Sequence, residues 1–201
     1  MKVVGKQLNF FSLENIEINF ADCVKLASCL DPEKILSLTL LYKINVEFKA
    51  PTEDHAKLND IMLHYLSNMK SIRELKIKFQ QIDQALLDRF GQILAVMGKK
   101  LVNFTLLCGS TLDPDIVPYG GVKSMSSADY QKWMGKDYSL LGDVYDVFCK
   151  GLSECTSLVF LDLMSPLNNQ YFLERLSKHI RENPKERSLQ YIKNPWNRPD
   201  P

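Results

Sequence analysis

The side chains that could support catalysis are few and widely spaced in this sequence. None of the three histidines (His55, His64 and His179) stands in His-Glu-x-x-His, the zinc-binding pattern of metalloproteases. Asp113-Pro-Asp115 is too short for a calcium loop, which needs ligands across about 12 positions. The sequence also lacks the Gly-x-x-x-x-Gly-Lys-Ser/Thr phosphate loop. We therefore predict a protein that is not an enzyme, without catalytic residues, cofactor or metal. An α/β enzyme with a cryptic site is the alternative.

The cysteines give no sign of a zinc or redox site. Their number is odd, and no Cys-x-x-Cys pair occurs among Cys23, Cys29, Cys108, Cys149 and Cys155. We interpret them as reduced, mostly buried thiols of a cytoplasmic protein. The first eight residues lack the apolar core of a secretory signal, and no run of 18 apolar residues occurs. We therefore expect no membrane partner.

Charge and composition are those of an ordinary globular protein. The 201 residues are 45% apolar and carry 25 basic and 24 acidic side chains, for a formal net charge of +1. A nucleic-acid partner usually requires a clustered basic face, so we expect none. The length fits a single domain over residues 1–201.

The dominant pattern is Leu-x-x-Leu-x-Leu, with other apolar residues at some positions. Four copies are Ile35–Leu40, Ile72–Ile77, Leu101–Leu106 and Leu158–Leu163. Aligned on the first apolar residue of each short strand, six units are predicted to begin at Leu8, Leu38, Leu75, Phe104, Leu161 and Ile192. Repeats of roughly 20 to 50 residues indicate units that cover one another's apolar faces. Lys193 after Ile192 suggests that the last unit is a cap.

Amphipathic helical patterns lie between these strands. They cover residues 24–30, 58–69, 86–97, 144–152 and 172–180. Strands that alternate with helices predict an α/β fold with parallel strands. The strands alternate apolar with polar residues such as Thr39 and Lys76, whereas doubly wound folds prefer continuous apolar strands. We therefore predict a curved sheet with helices on one side only.

Two segments interrupt this rhythm. Residues 43–57 enlarge the second loop, and residues 109–139 are rich in Pro, Gly and Ser, which is typical of a loop insertion. The alternative for the second segment is a degraded repeat with its strand near Val122. A proline-containing cap and tail is predicted over residues 184–201.

These repeats resemble the leucine-rich-repeat family, in its ribonuclease-inhibitor-like subtype with units near 28 or 29 residues. Family repeats usually place Asn or Cys three residues after the second strand leucine, where this chain has Leu13, Lys43, Gln80, Gly109 and Pro166. The units are therefore divergent. The resemblance implies a short solenoid of about five to six irregular units, with a curved parallel sheet and helices on its convex side.

The resemblance also implies a function class, namely a protein-interaction module or scaffold subunit of a eukaryotic intracellular complex, such as a cytoskeletal or ciliary one. The alternatives are a regulator of a small GTPase, since some relatives activate Ran-type GTPases, and a substrate-recognition adaptor of a ubiquitin ligase. The expected partners are proteins.

An exposed apolar row is the predicted partner-binding site. Period-two alternation should place Phe11, Leu41, Leu107 and Met164 on the open face of the sheet, interrupted by Lys78. The alternative is a register error in a divergent unit, which would exchange core and surface. Tyr130 and Trp133 of the insertion form a second candidate patch, because aromatic residues are enriched at binding hot spots, although they could instead pack the insertion onto the domain.

Overall fold

Strands and helices alternate along the chain. The computed structural model describes residues 8–18, 20–44, 52–82, 84–111, 145–164 and 170–193. The strands are β1 (Phe10–Ile18), β2 (Ser37–Ile44), β3 (Glu74–Ile82), β4 (Asn103–Thr111), β5 (Phe160–Met164) and β6 (Tyr191–Lys193). The helices of the described residues are α1 (Phe20–Cys29), α2 (Thr52–Ser67), α3 (Gln84–Met97), α4 (Asp146–Ser153) and α5 (Gln170–Glu182), with a 3₁₀ turn at Gly98–Lys100.

All six strands join one open parallel sheet whose strand order equals the chain order, so β1 and β6 are its edges. Parallel neighbours must be joined by a crossover, and crossovers of one hand between successive strands collect the helices on one face. Inward strand residues and the apolar stripes of the helices accordingly form one core cluster. The predicted α/β class with parallel strands is confirmed.

The inward side chains of neighbouring strands stand in register. Leu38, Leu75, Phe104 and Leu161 align across β2 to β5, and Leu40, Ile77, Leu106 and Leu163 align two residues later. All are buried except Leu40, which is partly buried against the core. The prediction that these pairs lie on successive parallel strands is therefore confirmed.

A backbone arrangement repeats at the start of each unit. The carbonyl oxygen of Leu36 accepts hydrogen bonds from the amides of Arg73 and Glu74, at 2.7 and 3.1 Å. The carbonyls of Asn9, Arg73, Val102 and Val159 accept the same pair of bonds from the next unit. Each carbonyl thereby satisfies two adjacent amide donors just where pairing begins, so the register of each strand is fixed from its first residue.

The first unit departs from the predicted alignment. Phe11 pairs with Leu38 and Leu13 pairs with Leu40, so Leu8-x-x-Phe11-x-Leu13 is the true copy of the pattern. The predicted alignment on Leu8 is three residues out of register, and an odd shift exchanges the two faces of a strand. The predicted outward position of Phe11 is therefore wrong, because Phe11 packs against the core. Its neighbour Phe10 is 68% exposed instead.

Aromatic rings join the sheet to the helices. The Phe90 ring of α3 lies 5.5 Å from that of Phe79 and 5.8 Å from that of Phe104, both edge-to-face. On its other side it stacks on Phe148 of α4 at 6.0 Å. Such pairs add about 0.5–1.5 kcal/mol each beyond the area that they bury.

Two glycines let α3 and α4 touch through their backbones. A Cβ added at Gly91 would lie 2.7 Å from the Cα of Phe148, and one added at Gly151 would lie 2.6 Å from the carbonyl carbon of Gly91. Real Cβ atoms essentially never approach other atoms so closely. Any side chain at either position would therefore force the helices apart.

The second interrupting segment falls largely outside the described residues, and the first one falls partly outside them. Residues 112–144, which include the proposed strand near Val122, lie outside the described residues. In the sheet, β4 pairs directly with β5. Residues 43–44 belong to the end of β2 and residues 52–57 to the start of α2. The loop predicted over residues 43–57 is therefore shorter than expected. Within the predicted tail, Tyr191–Lys193 forms β6, and residues 194–201 lie outside the described residues.

Truncation of the inward column should destabilise the domain severely. Leu75→Ala removes a buried side chain from the centre of the sheet, and such a change typically costs about 2–5 kcal/mol. We expect that loss in the free energy of unfolding measured by urea denaturation. Val96→Ala is the control, since Val96 is 71% exposed, and it should change this free energy by less than about 0.5 kcal/mol. Equal effects of the two changes would contradict the assigned core.

The backbone contact between Gly91 and Gly151 predicts that alanine in place of a helical glycine lowers the stability of the domain. Alanine normally stabilises a helix relative to glycine by about 1 kcal/mol. Gly151→Ala should instead lower the thermal midpoint, since overpacking typically costs about 1–3 kcal/mol and each kcal/mol shifts the midpoint by about 2–4 °C in a domain of this size. Ser177→Ala on the exposed side of α5 should leave the midpoint almost unchanged. A higher midpoint for Gly151→Ala would disprove the close helix crossing.

Candidate functional site

The sheet face that points away from the core is the candidate site, here called the outward face. Its residues occupy three rows of register positions across the strands. The first row is Phe10, Ser37, Glu74, Asn103, Phe160 and Tyr191, and the second is Ser12, Thr39, Lys76, Thr105, Asp162 and Lys193. The third contains Glu14 opposite Leu41, and Lys78, Leu107 and Met164 in register.

The first row has a polar centre and an aromatic end. Ser37 Oγ donates a hydrogen bond to one carboxylate oxygen of Glu74 at 3.1 Å, and Asn103 Nδ2 donates to the other at 3.4 Å. On β5 and β6, the rings of Phe160 and Tyr191 are stacked with centroids 5.4 Å apart and planes 9° from parallel. Tyr191 is nevertheless 54% exposed, so this stacked pair presents a flat apolar surface to solvent.

Two lysines occupy the middle of the second and third rows. Lys76 stands between Thr39 and Thr105, and Lys78 pairs in register with Leu107. Both lysines are partly buried, and no ion pair within the described residues includes either of them. Further along the second row, Asp162 is only 6% exposed. Among the described side chains of this face, Lys76 and Lys78 on β3 are the basic ones.

These side chains surround a shallow depression of about 380 Å³ over the centre of the sheet. Its walls come from β2 to β5, and Glu74, Lys76 and Phe160 are its charged and aromatic members. Small-molecule pockets are mostly concave and apolar and bury most of their ligand. An open depression lined by both polar and apolar side chains is better suited to a group projecting from the surface of another macromolecule.

The structure brings together three of the predicted site residues on this face. Leu41, Lys78 and Leu107 are outward and partly buried. The backbone of Met164 pairs with Leu107, but the side chain of Met164 lies outside the described residues, as do Tyr130 and Trp133. Phe11 points inward, as described above.

Sequence reasoning overlooked the first row. It considered only the two outward positions after the first strand leucine, although period-two alternation also makes the residue before that leucine outward. The aromatic residues Phe160 and Tyr191 at this position in consecutive units were the available signal.

Two of the cysteines are buried among the helices and poorly suited to act as nucleophiles. Cys149 lies 3.7 Å from the carbonyl oxygen of Phe172, and Cys155 lies 3.5 Å from that of Gly151. Burial raises the pKa of the Cys155 thiol to about 12, and burial with the nearby charge of Asp146 raises the pKa of Cys149 further. Cys29, Cys149 and Cys155 are free thiols in the structure.

A charged cluster ties α4 to α5. Nε2 of the buried His179 lies 3.0 Å from Oδ1 of Asp146, and Arg175 Nη1 lies 3.3 Å from the same oxygen. The pKa of Asp88 on α3 is raised, chiefly by burial and in addition by the negative charge of Asp146. These groups connect packed helices, so we assign them a structural role.

Neither a metal site nor a membrane span is found in the described parts of the chain. No group of three His, Cys, Asp or Glu side chains there could hold a metal ion. Over the same residues, no helix combines the length and apolar character needed to cross a bilayer.

The sequence matches no known protein-family model, and it matches no curated protein.

Thiol reactivity should reflect the burial of the two cysteines. At pH 8 a thiol with a pKa near 12 is ionised in only about one molecule in ten thousand, against about a quarter for an ordinary pKa near 8.5. Iodoacetamide labelling of the native protein, located by peptide mass spectrometry, should spare Cys149 and Cys155 and modify the partly exposed Cys29. In urea all three should react. Rapid native labelling of Cys149 would contradict its place in the core.

Proposed function

We propose that this chain is a non-enzymatic protein-interaction module, a divergent leucine-rich-repeat arc of the ribonuclease-inhibitor-like subtype. In this role it is a scaffold subunit of an intracellular assembly, of the cytoskeletal or ciliary kind. One observation carries the proposal, namely an outward sheet face that holds partly exposed apolar and aromatic side chains, and lysines without an ion pair among the described residues, over the buried inward columns.

The repeat assignment is supported by features that recur from unit to unit. The inward columns follow Leu-x-x-Leu-x-Leu, and successive strands are adjacent in the sheet. Where each new strand begins to pair, one carbonyl oxygen of the preceding unit accepts hydrogen bonds from two adjacent amides. Units that bury their apolar faces against neighbours are the defining property of repeat proteins.

The mechanism is docking on a preformed surface. A parallel sheet fixed by packed inward columns moves little, so its outward side chains are held in position before a partner arrives. Leu41, Leu107 and the stacked pair Phe160 and Tyr191 are the candidate anchors, because aromatic and aliphatic residues in a desolvated centre dominate interface energies. A stable complex would bury about 800 Å² on each partner, and the rows of four or more strands can contribute to such an area.

The proposal predicts that a negative charge at one anchor abolishes partner capture. Leu107→Asp should reduce the recovery of co-purified proteins from a cell extract at least tenfold, because loss of a central anchor typically costs about 2 kcal/mol or more. Quantitative mass spectrometry of the captured proteins measures this, and thermal melting checks that the variant is folded.

Two matched variants accompany Leu107→Asp. Leu106→Asp places the same charge in the buried inward column and should unfold the chain. Val96→Asp places it at an exposed apolar position of α3 and should bind normally. Loss of capture with Val96→Asp alone would move the interface to the helical side. Normal capture by folded Leu107→Asp and Leu41→Asp variants would instead make the 109–139 segment the leading site.

A further inference from the structure

We infer that the outward face recognises an acidic segment of its protein partner, which places two carboxylates against Lys76 and Lys78 and an apolar side chain beside them. This inference rests on the proposed function and adds the chemistry of the partner.

The two lysines form a fixed pair of positive charges. They lie two residues apart on β3, on the same face, so their Cα atoms are separated by about 6.6 Å. β3 is an interior strand, with β2 on one side and β4 on the other. Both side chains are partly buried, and a lysine in this situation typically lays its aliphatic stem on the surface and keeps its ammonium group in water.

The nearest carboxylate along β3 does not form an ion pair with either lysine. The carboxylate of Glu74, two residues before Lys76, accepts hydrogen bonds from Ser37 and Asn103 and makes no ion pair with a described lysine. Lysines elsewhere show the contrast, since Lys25 pairs with Asp22 and Lys70 with Glu33. Among the residues that the structure describes, none occupies Lys76 or Lys78 in an ion pair, which leaves both available to an acceptor from outside.

The immediate surroundings favour carboxylates on a protein over a nucleic-acid backbone. Thr39 and Thr105 flank Lys76 with hydroxyl groups that can bond to a carboxylate oxygen, and Leu107 beside Lys78 offers apolar contact. Glu14, Glu74 and Asp162 of the same face would repel a continuous chain of phosphates. A local pair of negative charges next to an apolar group fits, whereas an extended polyanion does not.

A peptide-display selection against the full chain tests the inference directly. A random twelve-residue library should yield peptides with two Asp or Glu residues at i, i+2 or i, i+4 and a neighbouring apolar residue. Binding of these peptides should fall at least tenfold for the double variant Lys76→Glu/Lys78→Glu. A selection on this variant should return peptides with Lys or Arg at the same spacing.

A matched variant separates a specific site from general charge. Lys99→Glu/Lys100→Glu changes the charge equally at two exposed positions of the 3₁₀ turn, and it should bind the acidic peptides normally. Equal loss with both double variants would overturn the inference, because attraction would then depend on net charge alone. Thermal melting of each variant shows that the loss does not come from unfolding.

The remaining outcomes distinguish this inference from the proposed function. Neutral or basic peptides that compete for a site sensitive to Leu107→Asp or Tyr191→Ala would overturn the inference and leave the docking face in place. An absence of selectable peptides, or binding insensitive to every outward-face variant, would overturn both. Tight binding of a labelled 20-nucleotide RNA at 150 mM salt, lost with Lys76→Glu/Lys78→Glu, would assign the lysine pair to nucleic acid.

Discussion

The inward apolar columns are the constraint on which the rest of the molecule depends. A parallel strand cannot pair with its chain neighbour without a crossover, and here each crossover contains a helix whose apolar stripe covers the strands. Leu75, for example, is buried because Leu38 and Phe104 stand beside it in adjacent strands. Stability is thus shared between neighbours, and no single unit could bury its own apolar face. The outward face is free to vary in chemistry because it contributes little to this burial.

The fold was predictable where local periodicity and tertiary burial agree. In β2 to β5 the spacing of apolar residues alone identified the inward columns correctly. The same reasoning failed in β1 because Phe10 and Phe11 are adjacent, and hydrophobicity cannot decide which of two neighbouring phenylalanines points inward. The spacing of the whole six-residue pattern does decide it, because Leu8-x-x-Phe11-x-Leu13 has the register of the other units. The first row of the outward face was missed for a related reason, because the repeat was considered only from its first strand leucine onward.

Other features leave no local signal in the sequence. Gly91 and Gly151 are 60 positions apart, and only the helix crossing explains why neither can carry a side chain. Asp146 and His179 belong to different helices, and nothing in the spacing of charges predicts that they meet. The stacking of Phe160 on Tyr191 likewise depends on the register between β5 and β6. Contacts of this kind arise from three-dimensional packing, and sequence periodicity identifies the faces involved without identifying the pairs.

The direct pairing of β4 with β5 has a consequence for how such a chain can diversify. Thr111 ends β4 and Asp146 begins α4, so the chain on both sides of residues 112–145 belongs to the same packed domain. For a flexible chain the entropic cost of closing a connection rises by only about 0.6 kcal/mol for each doubling of its length. Insertions and deletions between these anchors can therefore accumulate with little thermodynamic penalty, while each neighbouring strand stays in register. Evolution can in this way alter one region of the molecule in large steps and conserve the remainder.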